Sequence, residues 1–261
     1  MPEGDIVLRV ARRMDAVLAG QRLVRGELRW GRLGDTDLAG RVVLANQPVG
    51  KHLLTRLDDG RTLHTHLRMD GSWWITRAGQ ERGADRSPRV RAVLGTERWT
   101  CVGRLLGMVD LVRTRDEHLL VGHLGPDLLA DGVDLAECGE RVRAQGDRPI
   151  GAVLLDQTVV AGIGTLYLAE SLWAHRVHPL RPARDVDQAQ ALCATARALM
   201  LRSADAPLPT ATGESAPGRT SHAHGRRGRP CRRCGTPIAE LRVGPPGQER
   251  PAFYCPACQP R

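Results

Sequence analysis

Apolar residues recur at helical spacing between residues 3 and 19, where Ile6, Val7, Val10, Met14, Val17 and Leu18 fall on one stripe. Acidic residues at the start and Gly20 at the end bound an amphipathic helix. From about residue 22 to 115 the pattern changes to short β-rich runs: Arg41 to Leu44, Leu53 to Leu57, Thr62 to Leu67 and Ser72 to Thr76. Asp59-Gly60 and Asp70-Gly71 predict hairpin turns, and the polar, Gly-rich residues 78–88 predict a surface loop. Several strands without intervening helices predict an antiparallel β-sandwich.

Between about 117 and 203 the period becomes helical, over 134–144, 149–156, 165–175 and 186–201, with Pro179 and Pro182 as punctuation. Gly162-Ile163-Gly164 leads into the third of these segments. A Gly-rich turn before a helix N-terminus is a natural phosphate cradle, and close packing of two helices explains the glycines equally well. Residues 204–230 lack an apolar period and predict a flexible, basic linker in which His222 and His224 are solvated. After it, Cys231-x-x-Cys234 and Cys255-x-x-Cys258 are separated by twenty residues. Two such knuckles suit tetrahedral thiolate coordination of one structural zinc ion, with a β-hairpin between them. Cys101, Cys138 and Cys193 are scattered, as buried thiols are.

Charge narrows the picture. A net charge of +9 over 261 residues favours a polyanionic partner, nucleic acid above all. No apolar run is long enough to span a bilayer and no charged-then-apolar signal precedes the first helix, so a cytoplasmic, non-membrane protein is expected. Lys51 is the only lysine among 38 cationic side chains. Arginine keeps its proton in a protein and lysine can lose it, so a single lysine hints at a task that guanidinium cannot perform.

The opening Met1-Pro2-Glu3-Gly4-Asp5 offers another candidate. With Met1 removed, Pro2 presents a secondary amine, and an α-amino group titrates near pH ~8, so much of it is a free base at neutrality. Such an amine can attack an electrophilic sugar carbon and form an iminium, with Glu3 beside it to move protons. Proline also suits the first turn of a helix, which explains these residues without chemistry.

Taken together, the chain resembles the formamidopyrimidine-DNA glycosylase and endonuclease VIII family of base-excision repair enzymes. The resemblance rests on M-P-E-G-D at the start, G-K-H-L-L-T-R at Gly50 to Arg56 and T-H-L-R-M-D-G at Thr65 to Gly71. It continues through L-G-P-D-L-L at Leu124 to Leu129, D-Q-T-V-V-A-G-I-G-T-L-Y at Asp156 to Tyr167 and the four cysteines. The E-G-D opening is similar to the endonuclease VIII branch, which the resemblance links to oxidised pyrimidines. It implies an α+β chain with four parts. These are an N-terminal helix and antiparallel β-sandwich over 1–116, a helix-two-turns-helix domain over 117–204, the basic linker over 205–229 and a zinc-finger hairpin over 230–261. Damaged double-stranded DNA would lie in the cleft between the halves of a monomeric enzyme.

The resemblance also implies roles. Pro2 would be the nucleophile attacking C1′ of the flipped nucleotide, Glu3 the carboxylate assisting ring opening, and Lys51 a contact to phosphate and the sugar oxygen. Arg250 would grip the phosphate flanking the lesion. His66, Arg68, Gly164 and Thr165 would contact DNA, Met69 would wedge into the vacated stack, and Arg104 and Leu106 would serve the opposite strand. Base loss would be followed by β- and then δ-elimination. Three departures stand out: Thr165 where asparagine is usual, Ile6 where glutamate is frequent, and Leu106 where the formamidopyrimidine branch has phenylalanine. A purine-lesion enzyme and a non-catalytic DNA-binding protein on the same scaffold are the competing readings.

Overall fold

A computed structural model describes residues 2–261, so the expected removal of Met1 concerns a residue outside those described. The chain forms two compact units: residues 6–123 with Pro2, and residues 124–261 with Glu3, Gly4 and Asp5.

The first unit is built on α1 (Gly4–Leu18) and eight strands. These are β1 (Arg25–Leu28), β2 (Val43–Val49), β3 (His52–Leu57), β4 (Arg61–His66), β5 (Ser72–Arg77), β6 (Val90–Gly95), β7 (Trp99–Arg104) and β8 (Met108–Arg113). They pair antiparallel in two four-stranded sheets, ordered β2-β3-β4-β8 and β1-β6-β7-β5. Alternation along β3 and β4 sends Leu53, Leu57 and Leu63 inward, where they join Val7, Ala11, Met14 and Leu18 of α1. Ile6, Val10 and Val17 flank this stripe, so the helix expected from periodicity is the one that forms.

Two local expectations fail here for identifiable reasons. The strand expected over 41–44 runs instead from Val43 to Val49, through a polar Asn46-Gln47-Pro48. Asn46 is nevertheless buried, because its N–H donates to Asp15 Oδ1 at 2.7 Å and its side-chain oxygen accepts from Thr55 Oγ1 at 2.8 Å. Asp59-Gly60 does close the β3–β4 hairpin. Asp70-Gly71 closes none, since β4 and β5 lie in different sheets and the turn carries the chain across the sandwich. A short helix α2 (His118–Val121) ends this unit.

The second unit holds α3 (Leu135–Arg143), α4 (Ile150–Leu155), α5 (Thr165–Ala174) and α6 (Ala189–Asp205), followed by a hairpin of β9 (Ala239–Val243) and β10 (Arg250–Tyr254). Asp134 caps α3, accepting from the N–H groups of Ala136 at 2.8 Å and Glu137 at 3.2 Å. Helix α5 is buried nearly all round, with Tyr167, Leu168, Ala169 and Leu172 fully covered, as befits the central helix of a bundle. The stretch expected as a flexible linker is folded: Thr210, Ala211 and Ala223 are buried, and Ala211 N–H donates to Thr220 O at 2.9 Å. Among the described residues no helix is long and apolar enough to cross a membrane.

Candidate functional site

Glu3 is buried, and its carboxylate closes the N-terminus of α5. Oε2 accepts from Gly164 N–H at 2.9 Å and Tyr167 N–H at 3.5 Å, and Oε1 from Leu166 N–H at 2.9 Å. The first-turn amides of a helix have no partner within it and carry the positive end of its dipole, so a carboxylate stabilises them. Gly164 is required by this approach, since a Cβ there would lie 2.3 Å from Glu3 Cδ. The Gly-Ile-Gly turn expected to cradle a phosphate therefore receives a carboxylate of the chain itself. Gln157 shapes the turn, donating to Leu155 O and Ile163 O and accepting from Gly162 N–H at 3.1 Å. The Thr165 hydroxyl, expected on DNA, lies 3.4 Å from His224 Nε2 on a buried residue.

Next to Glu3 in the chain, Asp5 is buried and accepts from Tyr167 OH and Ser203 Oγ, each at 2.6 Å. Burial, followed by the Asp5 charge, pushes the Tyr167 phenol far above its ordinary range, so it remains a donor. A second anchor on α5 escaped the sequence reading. Buried Glu170 accepts from the N–H groups of His222, Ala223 and His224 at 2.8, 2.8 and 2.9 Å, and faces His222 Nδ1 at 3.0 Å. Burial alone would raise its pKa, but these bonds hold it below the ordinary carboxylate value. The expectation of solvated His222 and His224 is thereby corrected: a polar segment packs when a carboxylate satisfies its amides.

From His222 the contacts lead to the cysteines. Its ring stacks on Trp173 with centroids 4.4 Å apart, Arg233 covers Trp173 at 4.1 Å, and Trp173 Nε1 donates to Cys231 Sγ at 3.4 Å. The sulfurs of Cys231, Cys234, Cys255 and Cys258 lie within 4.8 Å of one another, with Cys234 and Cys255 at 3.5 Å. Four sulfurs around one tetrahedral metal at a bond length of ~2.3 Å stand about 3.8 Å apart, so the cluster fits a single ion. Backbone N–H groups of Arg233 and Cys258 point at Cys231 and Cys255, the arrangement that supports thiolate ligands. Arg250 opens β10 opposite Val243 and lines a cleft of about 580 Å³ with Arg148, Asp156, Gln157 and Gln248.

In the first unit, Pro2 is half-buried and Lys51 occupies the β2–β3 turn. His66 ends β4 beside it. Burial, then the charges of Arg68, His64 and Lys51, push the His66 pKa down to about 4, so the ring is neutral at physiological pH. Its Nδ1 accepts from Arg68 N–H at 2.9 Å, which leaves the proton on Nε2. Arg68 adopts a left-handed φ of 55° and Met69 after it is 54 % exposed. Arg104 ends β7 opposite Ser72. Leu106 belongs to the sandwich core at 2 % exposure, while Leu105, at φ 49°, is 38 % exposed. Leu106, which the resemblance assigns to the opposite strand, is thus the covered one of the pair. The two tips interlock: Gly107 N–H donates to His66 O at 2.9 Å, and a Cβ on Gly107 would lie 2.1 Å from Arg68 Cγ.

Comparison with known proteins adds independent findings. Residues 1–110 match the formamidopyrimidine-DNA glycosylase N-terminal domain and residues 124–207 the formamidopyrimidine-DNA glycosylase H2TH domain. The chain is 42 % identical to the "Probable endonuclease 8 2" of Streptomyces coelicolor, covering 99 % of this chain and 94 % of that one. It is 35 % identical to the "DNA-(apurinic or apyrimidinic site) lyase Nei2" of Mycolicibacterium smegmatis, covering 99 % of each. A Lactococcus lactis Fpg crystallised with DNA containing an abasic site has the same fold, with a TM-score of 0.79 at 23 % identity over the whole of both chains.

Proposed function

The chain belongs to the formamidopyrimidine-DNA glycosylase and endonuclease VIII family, and from that premise we propose that it is a bifunctional DNA glycosylase and abasic-site lyase acting on oxidised pyrimidines. The observation that carries this reading is Glu3: a buried carboxylate fixed by three backbone amides, one residue from the proline whose amine is the nucleophile. Pro2, freed of Met1, attacks C1′ of an extruded nucleotide, because chemistry on a base requires taking it from the stack. The damaged base departs with its electron pair, and the Glu3 carboxylate takes the proton that the proline nitrogen loses and delivers it to the ring oxygen as the sugar opens to the iminium. The resulting iminium acidifies the C2′ proton, and its removal expels the 3′ phosphate by β-elimination. Lys51 and Arg250 hold phosphates, Arg250 through the two parallel bonds that a guanidinium offers. Met69 fills the space the nucleotide leaves, as an unbranched apolar side chain can, and Leu105 rather than Leu106 assists it. The four cysteines would hold a zinc ion, which would stabilise the hairpin carrying Arg250.

Borohydride trapping on duplexes carrying thymine glycol, 5-hydroxyuracil, 8-oxoguanine or an abasic site tests this reading. A covalent adduct with the two pyrimidine lesions and the abasic site is expected, lost in Pro2→Gly. No adduct on any duplex would leave a DNA-binding protein, and trapping confined to 8-oxoguanine would reassign the substrate to purines.

A further inference from the structure

One polar cluster takes no part in the chemistry above. On the face of the β2-β3-β4-β8 sheet opposite the core, three neighbouring strands contribute His52, His64 and Asp110. His64 is fully buried and stands directly across from Asp110 in the β4–β8 register. Its Nδ1 is 2.8 Å from Asp110 Oδ2, and its Nε2 is 2.8 Å from His52 Nδ1. A carboxylate only accepts, so His64 carries its proton on Nδ1 and its Nε2 is a lone pair. His52 must then donate from Nδ1, which leaves Nε2 of His52 as the basic end of the chain. Asp110 fixes the tautomers of two rings in series, as the aspartate of a hydrolytic triad fixes one.

The basic end faces two further imidazoles and two cations. His66 lies edge-on to His52 at 4.8 Å and His123 at 6.4 Å, and the Arg68 charge acts on both His52 and His66. Lys51 precedes His52 in the chain and its charge acts on His66. Farther along the same face Arg56 and Glu117 pair at 2.7 Å, and Asp110 is the carboxylate that contacts His64. Burial, followed by His66, His64, His123 and Arg68, pushes the His52 pKa down to about 3. The free protein thus keeps a neutral imidazole attached to a built-in carboxylate, within a positive rim. An arriving phosphate monoanion reverses the local field, and the Asp110–His64 chain is placed to stabilise the cation that results.

We propose that His52 is a further phosphate-binding residue that takes up one proton when the DNA backbone enters the Lys51–His66–Arg68 rim, with His64 and Asp110 as its positioning residues. This deepens the reading of the chain as a DNA enzyme and rests on it. The proton enters at His52 Nε2, His52 Nδ1–H continues to donate to His64, and His64 Nδ1–H continues to donate to Asp110. By linkage, a ligand that raises the pKa of a group binds more tightly as pH falls, by up to about tenfold per pH unit for one proton.

The test measures binding of a duplex containing the uncleavable tetrahydrofuran abasic-site analogue, by fluorescence anisotropy from pH 5.5 to 8.5 at constant ionic strength. Calorimetry at pH 7 in buffers of different ionisation enthalpy counts the protons. Wild-type affinity is expected to rise several-fold per pH unit toward acid, with a net uptake approaching one proton. Asp110→Asn and His52→Gln are each expected to flatten the slope below about twofold per unit, thermal unfolding showing that each variant is folded. A flat wild-type profile, or zero protons in the calorimeter, would overturn the proposal without recourse to any variant. So would a wild-type slope in folded Asp110→Asn, or a slope abolished only by His66→Gln. Because the analogue is not cut, failure of borohydride trapping sinks the enzymatic reading and leaves this measurement to stand or fall alone.

Discussion

Two buried glutamates meet helix α5, and they do so in opposite senses. Glu3 comes to the helix from outside and caps the free amides of its first turn, whereas Glu170 reaches out from within the helix and collects the amides of residues 222–224. The first bond set fixes the carboxylate of the residue that follows Pro2 in the chain. The second fixes a loop that leads, through His222 and Trp173, to Cys231. In the proposed mechanism one helix thereby serves chemistry at its start and architecture in its middle, using the same physical device of carboxylate against backbone N–H.

The comparison predicts a separation of phenotypes. Glu3→Gln keeps the size of the side chain and an acceptor oxygen but loses the acid, so base excision should fall by roughly 10²–10⁴-fold, the usual worth of general acid–base catalysis, while the melting temperature changes little. Single-turnover gel assays beside thermal unfolding check this, and equal losses in both would erase the distinction. Glu170→Ala should show the reverse emphasis. It strands three amides in a dry site, a mechanism that costs about 3–5 kcal/mol, and metal should be released earlier in a urea titration followed with a chromogenic chelator. A smaller effect is expected for Gly164→Ala, whose Cβ would push against Glu3: overpacking of this kind costs about 1–3 kcal/mol, and the displaced carboxylate should slow excision as well.

Acid offers the finest probe. The Glu170 pKa is lower in the folded protein than its ordinary value, so the unfolded chain binds more protons as pH falls. The stability this group contributes is complete above the ordinary glutamate pKa and disappears as pH falls through the folded one. Urea unfolding between pH 6 and 3 should therefore show a decline that is shallower in Glu170→Gln. Parallel curves would mean that the His222–His224 bonds do not discriminate between the two protonation states.

What the sequence revealed, and what it hid, follows the range of the interactions involved. The α1 stripe, the Asp59-Gly60 hairpin and the cysteine spacing were legible because each is a local pattern with one physical meaning. The extension of β2 through Asn46 and the packing of the 222–224 segment are hidden because their amides are satisfied by Asp15 and Glu170, far away in the chain, and composition carries no trace of a distant partner. Asp70-Gly71 announced a turn correctly, but a turn signal does not say whether the next strand stays in the same sheet. Leu105 and Leu106 are chemically identical neighbours, and only the left-handed backbone at Leu105 decides which faces solvent. Gly164 was read as a seat for an anion, which it is. The anion is Glu3.

The solitary lysine at the β2–β3 turn has a practical corollary. An acylating or reductive-methylating reagent finds a single side-chain amine in the folded protein, at Lys51. The α-amine reacts as well, so mapping the peptide that carries residue 51 after brief labelling would report the occupancy of that position, giving a footprint of bound polymer without mutagenesis or tags.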